Sequence, residues 1–154
     1  MPGRYESDAP SVTIVVSAYN EAGSIGECID SILAQQQPPD RIVVVNDGSS
    51  DDTAQILSRY AEDRCIEVIN LVQNVGVPAA RNVGISECQT DSIAFLDADA
   101  RAPATWLEDL VKPFADPAVV VTGGPDAFLH GEAMSDARGV GAHAPGHEVH
   151  DGGP

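Results

Sequence analysis

The chain alternates short apolar runs with polar turns and amphipathic stretches. Val12 to Ala18 is almost continuously apolar, the pattern of a parallel strand covered by helices on both faces. Ser24 and Glu27 have capping-box spacing. Ile25, Cys28, Ile29, Ile32 and Leu33 follow at helical intervals, so a helix is predicted over 24–35. Gln35-Gln36-Gln37-Pro38-Pro39 ends it, because a residue before proline is pushed away from helical geometry. The pattern then repeats. Arg41 to Asn46 reads as a second strand, with Asp47 to Asp52 as the turn and N-cap of a helix reaching about residue 63. Ile66 to Leu71 reads as a third strand, Asn74-Val75-Gly76 as a turn, and Pro78 as the first turn of a helix through Ser86. Ser92 to Leu96 reads as a fourth, buried strand. Pro103 opens a helix with Trp106, Leu107, Leu110, Val111 and Phe114 on one face. Asp116-Pro117 breaks it before a fifth strand, Ala118 to Thr122.

Strand and helix alternating through residue 122 predict an α/β domain, a mainly parallel sheet with helices on both faces joined by right-handed crossovers. At 154 residues one core is expected, occupying residues 11–125. Residues 126–154 read as a C-terminal remnant and a disordered tail, since seven of the 16 residues from Gly139 to Pro154 are Gly or Pro.

Charge narrows the partners. With 24 acidic residues against seven Arg and Lys112, a net charge of −16, the average surface repels nucleic acid and anionic membrane. Scarce Lys beside abundant Asp resembles proteins of salt-loving organisms, and equally an unusually acidic protein from elsewhere. Cys28, Cys65 and Cys88 form no C-x-x-C pair and read as reduced thiols, which implies a cytoplasmic setting. Met1 to Pro10 lacks the apolar centre of a signal peptide, and no apolar run approaches membrane-spanning length, so a soluble segment is expected.

Four polar clusters fall at successive strand ends: Tyr19-Asn20-Glu21, Asp47-Gly48-Ser49, Asn74 to Asn82, and Asp97-Ala98-Asp99. Each alone could be ordinary turn and cap chemistry. In a doubly wound sheet, however, carboxyl ends of strands converge on one edge, so these residues are expected around one ligand. Asp97 and Asp99, following an apolar run, could hold a divalent cation and through it phosphates.

Together, Val16-Ser17-Ala18-Tyr19-Asn20-Glu21, Val45-Asn46-Asp47-Gly48-Ser49-Ser50-Asp51, Asn74-Val75-Gly76 with Ala79 to Gly84, and Phe95 to Asp99 resemble family 2 glycosyltransferases of the GT-A fold. The resemblance implies a Rossmann-like nucleotide-diphospho-sugar transferase fold with its C-terminal part truncated. It implies metal-dependent, inverting transfer of a sugar from a nucleotide-diphosphate sugar, UDP-linked in the first instance, to a hydroxyl of a glycan or lipid. By the same resemblance Ala18, Tyr19 and Glu21 border the base and ribose, and Asp47 accepts a hydrogen bond from the base. Arg81 reaches the base or diphosphate, Asp97 touches ribose or sugar, and Asp99 ligates Mn²⁺ or Mg²⁺. It also makes the inner face of the cell membrane a possible location. Glu21 is equally readable as a helix cap, and Arg81 as a surface helix charge.

Inverting members use a carboxylate base well C-terminal of the metal aspartate. Asp126 and Glu132 are carboxylates within the remaining sequence, and nothing around them marks either as a base. The chain therefore reads as the donor-binding half of a longer enzyme or, alternatively, as a catalytically silent nucleotide-sugar-binding module. An aspartyl-phosphate hydrolase is disfavoured, because Arg101 stands where those enzymes want Thr or Val. A dinucleotide oxidoreductase is disfavoured too, since Gly23 and Gly26 do not make G-x-G-x-x-G. His143, His147 and His150 are read as adventitious metal binders.

Overall fold

The computed structural model describes residues 9–123 and the backbone of 127–128. Strands β1 (Val12–Ala18), β2 (Arg41–Asn46), β3 (Ile66–Asn70) and β4 (Ser92–Phe95) form one parallel sheet in the order β3-β2-β1-β4. Helices α1 (Ile25–Leu33), α2 (Thr53–Leu57) and α3 (Val77–Ser86) link them, and α4 (Trp106–Val111) follows β4.

The period of two along each strand sorts side chains into two cores. Val12, Ile14, Val16 and Ala18 of β1, with Ile42 and Val44 of β2, pack against α1, Leu57 of α2, and Trp106, Leu107 and Val111 of α4. Val15, Val43 and Val45 point the other way, onto Ala80 and Val83 of α3. Helices thus cover both faces, and each of the valine, isoleucine and leucine side chains taken from water stabilises the fold by roughly 1.5–3 kcal/mol. Helix α3 comes so close to β1 that a Cβ on Gly84 would stand 2.5 Å from Val15 Cγ1. The chain runs outward from β1 to β3, then crosses to β4 on the far side of β1. The carboxyl ends of β1 and β4 therefore flank the topological switch point, where doubly wound sheets bind ligands.

Several expectations change. Strand β4 is amphipathic rather than buried: Leu96 just beyond it is 2% exposed, but Phe95 is 41% exposed, because α3 packs over β1 and β2 and leaves this edge open. Ser24 does not form the capping box. Its hydroxyl donates to Glu21 Oε2 at 2.6 Å, and the Glu21 carbonyl accepts the Ser24 and Ile25 N–H groups at the start of α1. Helix α2 stops at Leu57 and tightens into a single 3₁₀ turn, Ser58–Tyr60.

No strand forms over Ala118–Thr122. The Val119 N–H closes a turn on Asp116 O at 3.0 Å and Thr122 Oγ1 donates to Leu110 O at 2.7 Å, which hold this segment against the end of α4 instead of on the β4 ladder. Val120 is consequently 80% exposed, and a cavity of about 380 Å³ lies between the segment and β4, lined by Ile93, Phe95, Trp106 and Phe114 among others. A short antiparallel pair the sequence did not suggest, β5 (Ala100–Arg101) with β6 (Ala127–Phe128), follows the paired aspartates.

The segment after Asp99 is held by Gln35, a residue that reads from sequence only as a helix end. Its buried amide donates to Pro103 O at 2.6 Å and Ser31 O at 3.1 Å, and accepts the Leu107 N–H at 2.9 Å. The expected tail, with Asp126, Glu132 and the three histidines, lies outside the described residues.

Candidate functional site

The site begins with two loops laced together. After β1, Asn20 adopts φ 55°, a left-handed conformation that Asn tolerates better than most residues. Its Oδ1 accepts the Ser50 N–H at 2.8 Å while its own N–H reaches Ser49 Oγ at 2.9 Å. Thr53, fully buried, accepts the Glu21 N–H on its hydroxyl at 2.9 Å and donates a hydrogen bond to Asp51 Oδ1 at 2.5 Å. Asp51 Oδ2 accepts the Ala22 N–H at 3.1 Å. These hydrogen bonds, four of them to charge-bearing or hydroxyl side chains, fix the β1 and β2 loops as one rim.

A third loop joins them through Asp47. Its carboxylate, 2% exposed, accepts the Val75 N–H at 2.8 Å, the Gly76 N–H at 2.9 Å and Asn74 Nδ2 at 3.1 Å. Gly48, at φ 66°, makes the approach possible: a Cβ there would lie 2.4 Å from the Gln73 carbonyl carbon.

The fourth loop carries Asp97 and Asp99, both exposed. Asp97 Oδ1 accepts from Arg81 Nη2 at 2.7 Å, and the Arg81 guanidinium lies over the Phe95 ring, 5.4 Å from its centroid. Asp99 has no hydrogen-bond or ion-pair partner among the described residues. Beneath them lies Cys28, whose buried thiol donates to Asp97 O at 3.4 Å. Burial pushes its pKa up to about 12, and the negative charges of Asp99, Asp97 and Glu21 add to the effect. Asp97 and Asp99 follow β4 and Glu21 follows β1, so these carboxylates stand on the two sides of the switch point.

Arg81 and Asp97 are thus in contact, Asp99 lies two residues further along the same loop, and Glu21 and the exposed Tyr19 follow β1, the strand that pairs with β4. Ala18 is not available as a side chain, since its methyl is buried in the α1-side core and its carbonyl accepts the Asp47 N–H at 2.8 Å. Asp47 turns inward to the 74–76 loop. Sequence reasoning missed Thr53, the Arg81 platform Phe95 and the clamping role of Asn74. Phe95 and Asn74 stand inside the quoted motifs, whereas Thr53 carries no signal beyond its place after two aspartates.

Among the described residues no three His, Cys, Asp or Glu side chains form a ready-made metal cage. One unpartnered carboxylate, Asp99, beside a second at Asp97 still suits a hard divalent ion such as Mg²⁺ or Mn²⁺, which keeps several waters and takes its other oxygens from phosphates.

The described helices include none long and apolar enough to cross a membrane. Cys28, Cys65 and Cys88 are all free thiols.

Residues 13–133 match the family model described as Glycosyl transferase family 2. Glycosyltransferase AglE of Haloferax volcanii is 32% identical over 128 residues, covering 80% of this chain and 42% of that protein. The poly-beta-1,6-N-acetyl-D-glucosamine synthase of Staphylococcus epidermidis is 31% identical over 119 residues, 74% of this chain and 28% of the relative. Among solved structures, the mannosyltransferase PcManGT of Pyrobaculum calidifontis, in complex with GDP-Man and Mn²⁺, superimposes with a TM-score of 0.67 at 33% identity over 72% of this chain and 34% of that one. TarS 1-349 of S. aureus, in complex with UDP-GlcNAc, does so with a TM-score of 0.61 at 29% identity over 70% and 32%. The chain spans less than half the length of these relatives. The match over residues 13–133, more than half of the chain, on a fold shared with such enzymes, makes this chain a member of glycosyl transferase family 2, and its architecture that of the amino-terminal part of a GT-A glycosyltransferase.

Proposed function

We propose that this chain binds a nucleotide-diphosphate sugar at the rim formed by Tyr19, Glu21, Arg81, Asp97 and Asp99, and serves transfer of the sugar, with inversion, to a hydroxyl of a glycan or lipid. The observation that carries this is the placement of Glu21 after β1 and of Asp97 and Asp99 after β4, on the two sides of the switch point, with Arg81 bound to Asp97. Tyr19 and Glu21 border the base and ribose, and the backbone of Ala18 lies behind them. Direct displacement breaks the bond between the anomeric carbon and the diphosphate, so negative charge grows on the leaving oxygens. The Arg81 guanidinium uses one N–H on Asp97 and has other donors to offer that charge. A Mn²⁺ or Mg²⁺ ion held by Asp99, with Asp97 beside it, would supply Lewis-acid neutralisation of the same charge. UDP and GDP are both candidate nucleotides, because the structural relatives are complexes with UDP-GlcNAc and with GDP-Man.

The test is calorimetric titration of UDP and GDP with and without Mn²⁺, followed by an assay of donor-sugar hydrolysis. One of the two nucleotides should bind more tightly with Mn²⁺, and Asp99→Asn should remove about tenfold or more of that gain while sparing metal-free affinity. Metal-dependent affinity unchanged in Asp99→Asn, or no binding of either nucleotide, would overturn the proposal. Binding without hydrolysis would leave donor recognition here and put the transfer step elsewhere.

A further inference from the structure

We infer that one polar face of α1, carrying Ser31 and Gln35 with Cys28, is the positioning element for the paired aspartates: it holds the backbone on both sides of Asp99 in place before any ligand arrives. The inference rests on the donor-site reading above. None of the three residues touches a ligand in it, and each acts through the segment it holds.

After β4 the chain alternates: Ala98, Ala100 and Ala102 are buried in the α1-side core, while Asp97, Asp99 and Arg101 are exposed. The alternation passes through a turn that the Ala100 N–H closes on Asp97 O at 2.9 Å. Methyl groups on the inner side let the segment lie close to the helix. They also bury little apolar area, so packing alone gives this backbone a weak hold. Asp99 makes no hydrogen bond or ion pair of its own among the described residues, so its place is set by its backbone.

Helix α1 supplies the missing hold. Cys28, Ser31 and Gln35 are spaced three and four residues apart, the interval that stacks side chains on one helix face. Gln35 lies just past Leu33 and keeps the register, its N–H on Ile32 O at 3.3 Å. All three are buried. The Cys28 thiol donates to Asp97 O at 3.4 Å, two residues before Asp99. Ser31 Oγ accepts the Ala102 N–H at 3.0 Å, three residues after it, and is itself oriented by donating to Cys28 O at 2.7 Å. The Gln35 amide continues the series, donating to Pro103 O at 2.6 Å and accepting the Leu107 N–H at 2.9 Å. The aspartate turn is therefore pinned at both ends to one rigid element. Because Ala102 and Ser31 are both buried, removing the hydroxyl leaves an N–H without a partner or water, and the backbone must shift to satisfy it. A cation held by exposed carboxylates gains affinity when the groups behind them fix their positions beforehand.

Two variants of the full chain test this. Ser31→Ala removes the Ala102 anchor, and Gln35→Met keeps the side-chain length while removing the Pro103 and Leu107 anchors. UDP and GDP are titrated with and without Mn²⁺, and ¹⁵N NMR follows the Asp99, Ala100 and Ala102 amides without nucleotide or metal. The gain in nucleotide affinity that Mn²⁺ brings should fall about tenfold in Gln35→Met and about threefold in Ser31→Ala, with metal-free affinity kept within about twofold. Shifted Asp99 and Ala100 signals and faster exchange at Ala102 should accompany the loss. Ile66→Ala is the control for lost stability: it opens a cavity under β3, the strand furthest from β4, and should lower the melting temperature while keeping the Mn²⁺ gain. A Mn²⁺ gain unchanged in Ser31→Ala and Gln35→Met, or a loss that Ile66→Ala shares, would make the polar face of α1 a purely structural feature and overturn the inference. Should Gln35→Met fold poorly, the milder Ser31→Ala carries the comparison. If the wild-type chain bound neither nucleotide, the donor-site reading would fail, yet the NMR arm would still decide the positioning: unchanged Asp99 and Ala100 signals in both variants would refute it.

Discussion

Arg81 and Asp97 meet at 2.7 Å across the switch point, one from the second turn of α3 and the other from the loop after β4. Both are half exposed, and an ion pair so open to solvent contributes at most about 1 kcal/mol to stability. Its value lies in holding a guanidinium over the Phe95 ring, beside two carboxylates that would otherwise repel an incoming diphosphate.

Arg81→Ala should therefore leave thermal stability nearly unchanged and lower nucleotide-diphosphate affinity by about tenfold or more. Arg81→Lys should recover only part of the loss, because an ammonium restores the charge but not the several fixed donors of a guanidinium. Melting curves beside UDP and GDP titrations check both halves. A large fall in melting temperature with intact affinity would make the pair structural.

Gly84 belongs to the same sequence motif as Arg81, yet the structure gives it a packing task. The Cβ of an alanine would stand 2.5 Å from Val15 Cγ1 and 3.4 Å from Val45 Cγ2, so α3 must move off the sheet or the valines must leave their rotamers. Gly84→Ala should cost about 1–3 kcal/mol in chemical denaturation, the usual range for overpacking a tight core. Because α3 carries Arg81, affinity should fall as well. Val15→Ala combined with Gly84→Ala should recover part of the stability if the Val15 contact is the cause.

The fold was largely legible, because parallel strands buried on both faces announce themselves as unbroken apolar runs: Val12–Ala18 and Arg41–Asn46 came out with the bounds expected of them. Ala118–Thr122 shows the limit. Its valines have strand propensity, but propensity cannot say whether a neighbouring edge will pair with them, and here hydrogen bonds to Leu110 and Asp116 intervene. At the site, the convergence of Glu21, Arg81, Asp97 and Asp99 follows from topology, since strand ends share an edge whatever their spacing in sequence. Side-chain direction does not follow. Asp47 looks the same on paper whether it faces a ligand or the Asn74 loop, and only the pleat of β1 shows that the Ala18 methyl turns into the core.

Asp51 offers a pH test of the rim. Hydrogen bonds from the Thr53 hydroxyl, first in weight, and from the Thr53 and Ala22 amides lower its pKa below the ordinary Asp value of about 3.9. A carboxylate whose folded pKa is depressed contributes stability that is fully present above the unfolded pKa and is lost as pH falls through the folded one. Asp51→Asn should accordingly be less stable than wild type at neutral pH, by a gap that holds down to about pH 4 and closes below it. The net charge of −16 complicates a single protein's profile, because acid also relieves repulsion between carboxylates. Asp52→Asn is the control: it removes the same charge one residue away, from a side chain that makes no helix-cap hydrogen bond. Melting temperatures of the three proteins from about pH 7 to pH 2.5 decide the matter. A gap between Asp51→Asn and Asp52→Asn that stays constant over that range would mean that ionisation of Asp51 has no part in tying the β1 loop to the β2 loop.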